Sequence, residues 1–166
     1  NLSVFVDEVY ANPSVQTPPH AVAAVYFFAI QIYCDFYGYT CIALGSANLL
    51  GIDIVNNFDH PYLRRNIQEF WRHWHISLSR WFRDYVYISL GGNRVPRARH
   101  TVNLLVTMAL VAVWHGASLP FLLWGLLHGS ALVIHRFWTM IVERLIGNRR
   151  TPAFLYRTLA VPVGWF

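Results

Sequence analysis

Histidine is the side chain best suited to moving a proton near neutral pH, and His115 occupies an unusual place for one. It sits in the run VAVWHGASLP, within 36 residues from His100 to His135 that hold no Asp, Glu, Lys or Arg. An ionisable group inside so long an apolar run is costly to bury and marks a functional site by default. A neutral imidazole there takes a proton from a hydroxyl and returns it to a leaving group, and the adjacent Gly116 lets a substrate approach the backbone closely. The same position equally suits a buried histidine bonded to a carbonyl of a neighbouring helix. His75, in QEFWRHWHISL, falls within an apolar stripe, whereas His73 projects from the polar side. His128 and His135 share a helix face but lie two turns, about 10 Å, apart, which is too far for one ion between them; ordinary packing or snorkelling accounts for them. No HExxH, CxxC or Walker glycine pattern occurs, so no metal site is expected. Gly91-Gly92-Asn93-Arg94 reads as a helix-ending turn with an arginine at the cytoplasmic boundary, and more weakly as a phosphate cradle.

Long apolar segments must position these residues. From Ala21 to Ile52 the only charge is Asp35, and about 20 apolar residues suffice to cross a 30 Å hydrocarbon layer. The surplus length predicts a tilted or broken helix hinged at Gly38 or Gly45, with Asp35 facing protein or water. Residues 100–138 predict a transmembrane hairpin turning near Ser118 and Pro120. Arginines flank both of its ends, so the positive-inside rule places those ends in the cytoplasm. Between the two regions, residues 64–92 predict one amphipathic helix. Trp71, Trp74, Leu78, Trp81, Tyr85 and Ile88 form its apolar stripe, opposite Glu69, Arg72, Ser79, Arg80 and Arg83. Such a helix lies at an interface, lines an intramembrane cavity or, less in keeping with its flanks, covers a soluble core. Residues 1–20 read as an interfacial piece and loop broken by prolines, and residues 152–166 as the start of a truncated span.

Composition agrees with a membrane setting. Of 166 residues, 55% are apolar and 13% charged, about half the charge of an ordinary globular chain, and this excludes disordered and linker classes. The first 63 residues hold five acids and no base, while the remainder holds thirteen arginines and three acids. Using arginine alone suits headgroup anchoring or phosphate binding, and a GC-rich genome gives the same bias. The arginines and tryptophans of residues 64–83 resemble a nucleic-acid surface, but the flanking uncharged runs argue against nucleic acid as a partner. Cys34 and Cys41 are seven residues apart, about 10 Å along a helix, beyond disulfide reach. The chain starts at Asn1, shows no signal-peptide pattern and stops inside an apolar stretch at Phe166, which reads as a piece of a longer polypeptide.

Three segments carry a resemblance: IQIYCDFYGYTCIALG (Ile30–Gly45), NFDHPYLRRNIQEFWRHWHISLSRWFRDYVYISLGGNR (Asn57–Arg94) and VWHGASLPFLLWGLLHG (Val113–Gly129). Together they resemble the membrane-bound O-acyltransferase family over roughly residues 22–138, and most closely its alginate O-acetyltransferase branch. A branch that transfers D-alanine toward teichoic acid shares the WH and WHG segments without the GGNR ending. Three positions depart from the pattern: Cys41 for an Asp, Tyr37 for a small residue, and Val111-Ala112 for Gly-Gly, where added bulk narrows a tunnel.

The resemblance implies an all-α, polytopic membrane helical bundle in which an amphipathic or re-entrant helix lines a central tunnel, this chain being part of a larger fold. It implies an O-acyltransferase in the bacterial inner membrane that takes an acetyl group from a cytoplasmic thioester, acetyl-coenzyme A or another acyl donor. The acceptor is a periplasmic protein or polysaccharide on the outer face, and lipid surrounds the enzyme. His115 is then the catalytic residue and His75 the second polar residue of the tunnel, with Asn93, Arg94 and Arg83 as donor-side contacts. D-alanyl transfer, or a non-catalytic scaffold of an acyl-transfer assembly, are the alternatives.

Overall fold

A computed structural model describes residues 2–146; the segment 152–166, expected to begin a further span, lies outside the described residues. Every named element among the described residues is helical: α1 (Leu2–Ala11), α2 (Pro18–Leu49), α3 (Ile67–His73), α4 (Ile76–Phe82), α5 (Arg97–His115) and α6 (Leu119–Ile146), with short turns between them. The chain divides into two compact units, the first ending at Asn56 and the second beginning at Asn57.

In the first unit, α1 folds back on α2. Val6, Val9 and Ala24 are buried between them, and Phe5 meets Phe27 edge-on with ring centroids 5.5 Å apart. Two prolines open α2 at positions where a helix has no amide to satisfy. It then runs unbroken for 32 residues through Gly38 and Gly45, so the expected hinge is absent. No atom outside the helix comes within 4 Å of where either glycine's Cβ would stand, so no neighbour presses there to bend it. At about 48 Å, α2 exceeds the hydrocarbon thickness and accommodates it by tilt or by projecting. Among the described residues it is the one helix long and apolar enough by composition to cross a membrane. Val22, Val25, Tyr26, Ile42 and Leu49 are all exposed along it, a large bare apolar surface of the kind lipid covers. Asp35 lines an open cleft with Leu2, Ser3, Gln31 and Cys34.

The second unit corrects the expectation of one amphipathic helix over 64–92. Helix α3 starts on an Asn66 cap that accepts the Glu69 amide at 2.8 Å and ends at His73. Trp74 is extended, and His75 adopts the left-handed conformation at φ 42° and ψ 59° before α4 begins. The break is made from outside the segment. Residues 57–59 lie antiparallel to it as a strap, bridging Phe58 to Trp74. The Ile76 amide donates to the Asn57 carbonyl at 3.0 Å, and the Ser77 amide and hydroxyl both donate to Asn57 Oδ1. The Ser79 hydroxyl takes the Trp74 carbonyl. Backbone groups that a continuous helix would pair internally are thus satisfied by the strap and by serines.

The expected stripe consequently divides. Trp71 and Leu78 pack on a core of Phe82, Met108 and Val111. Trp74 packs on Phe58 and Phe70, and Trp81, Tyr85 and Ile88 face outward. After α4 the chain widens into a π-helical turn, Arg83–Tyr87, and reverses through Gly91 and Gly92, both at positive φ. Asn103 of α5 holds that reversal, its amide donating to the carbonyls of Leu90 and Gly92 at 3.0 and 3.3 Å.

Helices α5 and α6 form the tightest contact of the unit, joined by a turn at residues 116–118. A Cβ on Gly125 would stand 2.6 Å from both the Ala112 Cβ and the Met108 carbonyl oxygen, and one on Gly129 3.1 Å from Leu105. This pair of glycines, four residues apart, lets the two backbones approach as small-residue motifs do in membranes. Val111 and Ala112 are both buried, Val111 in a cluster with Phe82 and Met108 and Ala112 against Gly125. Further along, His100 Nε2 accepts from the Tyr87 hydroxyl and, at 2.7 Å, from the Arg136 guanidinium.

Candidate active site

The last turn of α5, the first turns of α6 and the break between α3 and α4 bring His75, His115 and His128 into one aromatic cluster. Trp114 lies between the first two, its ring centroid 6.1 Å from His75 and 4.8 Å from His115. Phe121 stacks near-parallel to His115 at 5.9 Å, and Trp124 meets the imidazole edge-on at 5.4 Å. Trp124 also contacts His128 at 4.7 Å and Trp71 at 5.8 Å. His115 is exposed at the tip of the hairpin, and His75 is partly buried.

The left-handed backbone at His75 is strained for a residue with a Cβ. It persists because the strap determines it, a pattern common where a side chain must be aimed. Burial, partly opposed by a backbone hydrogen bond and helped by the neighbouring His115 imidazole, holds the His75 pKa below its ordinary value. His75 is therefore a neutral group near pH 7, able to donate or accept a hydrogen bond.

His73, adjacent in sequence, is used differently. Its Nδ1 donates to the Glu69 carbonyl at 2.7 Å, and its Nε2 lies 3.6 Å from Asp59. Asp59 is the hub of the strap: it pairs with Arg64 at 2.5 Å and His60 at 3.1 Å. Its carboxyl is held below the usual range by the His60 hydrogen bond first, and by the charges of Arg64 and His73.

The other sequence-predicted residues lie elsewhere. Asn93 and Arg94 are exposed in the turn before α5, whereas His115 closes its far end, about 28 Å away by the rise of 19 helical residues. Arg83 is engaged by Asp84, donating to its two carboxylate oxygens at 2.7 and 3.2 Å. The open backbone expected at Gly116 is also corrected: a Cβ there would meet the Phe121 ring at 3.0 Å, so a protein ring occupies that approach. Sequence reasoning placed His128 among packing residues and did not single out Trp114, Phe121 or Trp124. The available signal was Trp124 one turn before His128, a spacing at which helical side chains touch. Among the described residues, no group of three His, Cys, Asp or Glu could hold a metal ion.

The described residues thus combine an all-helical fold, a long helix with an exposed apolar surface, and a histidine at the tip of a tight helix pair. The family model of the membrane-bound O-acyltransferases matches residues 3–155, and the chain belongs to that family. Its relatives include the probable alginate O-acetylase AlgI of Azotobacter vinelandii, 39% identical over 99% of this chain and 32% of the relative. The peptidoglycan O-acetyltransferase of Helicobacter pylori is 46% identical over 68% of the chain and 21% of the relative. The teichoic acid D-alanyltransferase of Streptococcus thermophilus is 38% identical over 70% of the chain and 30% of the relative. The chain spans about a third of the length of the alginate O-acetylases it matches.

Proposed function

We propose that this chain carries the catalytic histidine of an inner-membrane O-acetyltransferase. The enzyme takes acetyl from a cytoplasmic thioester, acetyl-coenzyme A or another acyl donor, and esterifies an extracytoplasmic polysaccharide or a periplasmic acceptor protein. The carrying observation is the placement of His115 and His75 on the same Trp114 ring in the aromatic cluster at the hairpin tip. Similarity to alginate O-acetylases over 99% of the chain supports the acetyl reading.

In this mechanism the His115 imidazole accepts the acceptor's hydroxyl proton as the oxygen attacks the thioester carbonyl. The new C–O bond forms, the C–S bond breaks, and the imidazolium returns its proton to the departing thiolate. His75 offers a neutral hydrogen-bonding group at the same centre. The arginines carried by α5 and α6 away from the tip, Arg97, Arg99, Arg136 and Arg144, favour a cytoplasmic position for those ends of the hairpin. Asn93, Arg94 and Arg83 then act on the donor side.

The test compares wild type with His115→Ala in the full-length protein at matched membrane abundance, measuring ester-linked acetyl on exported polysaccharide. Loss of acetyl supports the base; retained acetyl sinks the assignment and favours a scaffold. D-alanyl transfer is the second reading, favoured by the teichoic acid relative. Supplying acetyl and D-alanyl thioesters in turn to the same membranes separates the two.

A further inference from the structure

A general base needs a fixed ring orientation, usually set by a carboxylate or carbonyl bonded to its second nitrogen. Around His115 the described contacts are aromatic rings: Trp114, Phe121 and Trp124. Trp114 is its sequence neighbour and is exposed, and Phe121 belongs to the exposed first turn of α6. Trp124 differs from both, because it is held from behind. His128, one turn on along α6, meets its ring at 4.7 Å, and Trp71 of α3 meets it at 5.8 Å. Trp71 also closes on His128 edge-on at 5.3 Å, and Phe70 stacks on His128 at 6.3 Å. Four side chains from α3 and α6 thus form a closed set of rings, with the edge contact to His115 on its open side.

His128 is well placed to be the clamp. Its Nδ1 is buried without a hydrogen-bond partner among the described residues, as is the Trp71 indole nitrogen. A buried polar atom left unbonded is disfavoured wherever packing alone is required, and a phenyl ring would fill the same space without it.

We propose that Trp124, clamped by His128 and Trp71, is the positioning residue that sets the orientation of the His115 ring, so that an aromatic wall does here what a hydrogen-bonded acid does in a triad. The inference rests on the reading of His115 as the base. Trp124 acts through His115 and touches no reacting atom. Its loss therefore lowers turnover without weakening donor binding, because misplacing a catalytic group by about 1 Å costs up to roughly 100-fold.

The experiment uses the full-length protein in membranes, at matched abundance, with an acetyl thioester as donor. Trp124→Leu is expected to lower kcat by about tenfold or more, with the donor KM within about twofold of wild type. Trp124→Phe should restore most of the rate. The pH–rate limb of the base should also move, since the ring loses its fixed surroundings, a change that simple destabilisation does not produce. His128→Leu, which leaves Trp124 in place, gives the same pattern at smaller amplitude and serves if Trp124→Leu fails to accumulate. Wild-type kcat in either leucine variant, a raised KM at unchanged kcat, or Trp124→Phe no better than Trp124→Leu overturns the proposal. His115→Ala run alongside separates the two failures: transfer retained there defeats the base reading, and transfer lost there with Trp124→Leu fully active defeats only the positioning.

Discussion

The two ends of the α5–α6 hairpin use the same residue type in opposite ways. At the end near the Gly91-Gly92 reversal, His100 is buried and its Nε2 is taken by Tyr87 and Arg136, while Asn103 ties the reversal to α5. At the tip, His115 is exposed and surrounded by rings. A histidine whose nitrogen is already accepting two hydrogen bonds has no vacant lone pair to take a proton from substrate. One bordered by ring faces and edges keeps its nitrogens available. Hydropathy alone does not separate the histidines of this uncharged run, whereas hydrogen bonding sets His100 apart from His115.

Substitutions at the two ends test this division. His115→Ala has the largest expected effect, loss of acetyl transfer by about 100-fold or more, measured as ester-linked acetyl at matched abundance. Gly125→Leu should come next, since even a Cβ there meets α5 at 2.6 Å. Overpacking of about 1–3 kcal/mol or more should appear as lower membrane abundance and a lower Tm in detergent, with activity falling in proportion to folded protein. His100→Leu removes the acceptor for Tyr87 and Arg136 and should cost about 1–3 kcal/mol of stability while leaving turnover per folded molecule near wild type. A catalytic loss on the scale of His115→Ala at unchanged Tm would erase the distinction between the ends. Asn66→Ala removes the α3 cap and should lower Tm by the equivalent of about 1 kcal/mol.

The smallest effect concerns pH and the strap. The Asp59 carboxyl is held below its ordinary value by His60, Arg64 and His73. Its contribution is therefore complete above the unfolded value of about 3.9 and is lost as pH falls through the lower folded value. Asp59→Asn should flatten the acid limb of the stability profile slightly and leave neutral pH almost unchanged, because the group is about half exposed. Thermal scans from pH 3 to 7 measure it.

Much of this was legible in the sequence, and the exceptions share a cause. The helical class followed from apolar spacing, and His75 and His115 were singled out by their apolar surroundings and by the WH and WHG resemblance. The break at His75 was not legible, because its hydrogen bonds come from Asn57, about twenty residues away, and a periodic stripe carries no trace of a distant strap. Gly38 and Gly45 suggested a hinge by composition, yet glycine only permits bending and nothing packs there to cause it. The role of Gly125 and Gly129 shows only where α5 packs within 2.6 Å and 3.1 Å of the Cβ positions they leave empty. His128 read as packing because a lone histidine on an apolar face usually is; its contact with Trp124 shows only when α3 is folded against α6.

The most direct measurement puts His115→Ala and His100→Leu side by side in the full-length protein, with ester-linked acetyl normalised to folded enzyme. Transfer should be abolished in His115→Ala and nearly unchanged per molecule in His100→Leu. Transfer that survives the loss of His115, or collapses equally in both, would contradict it.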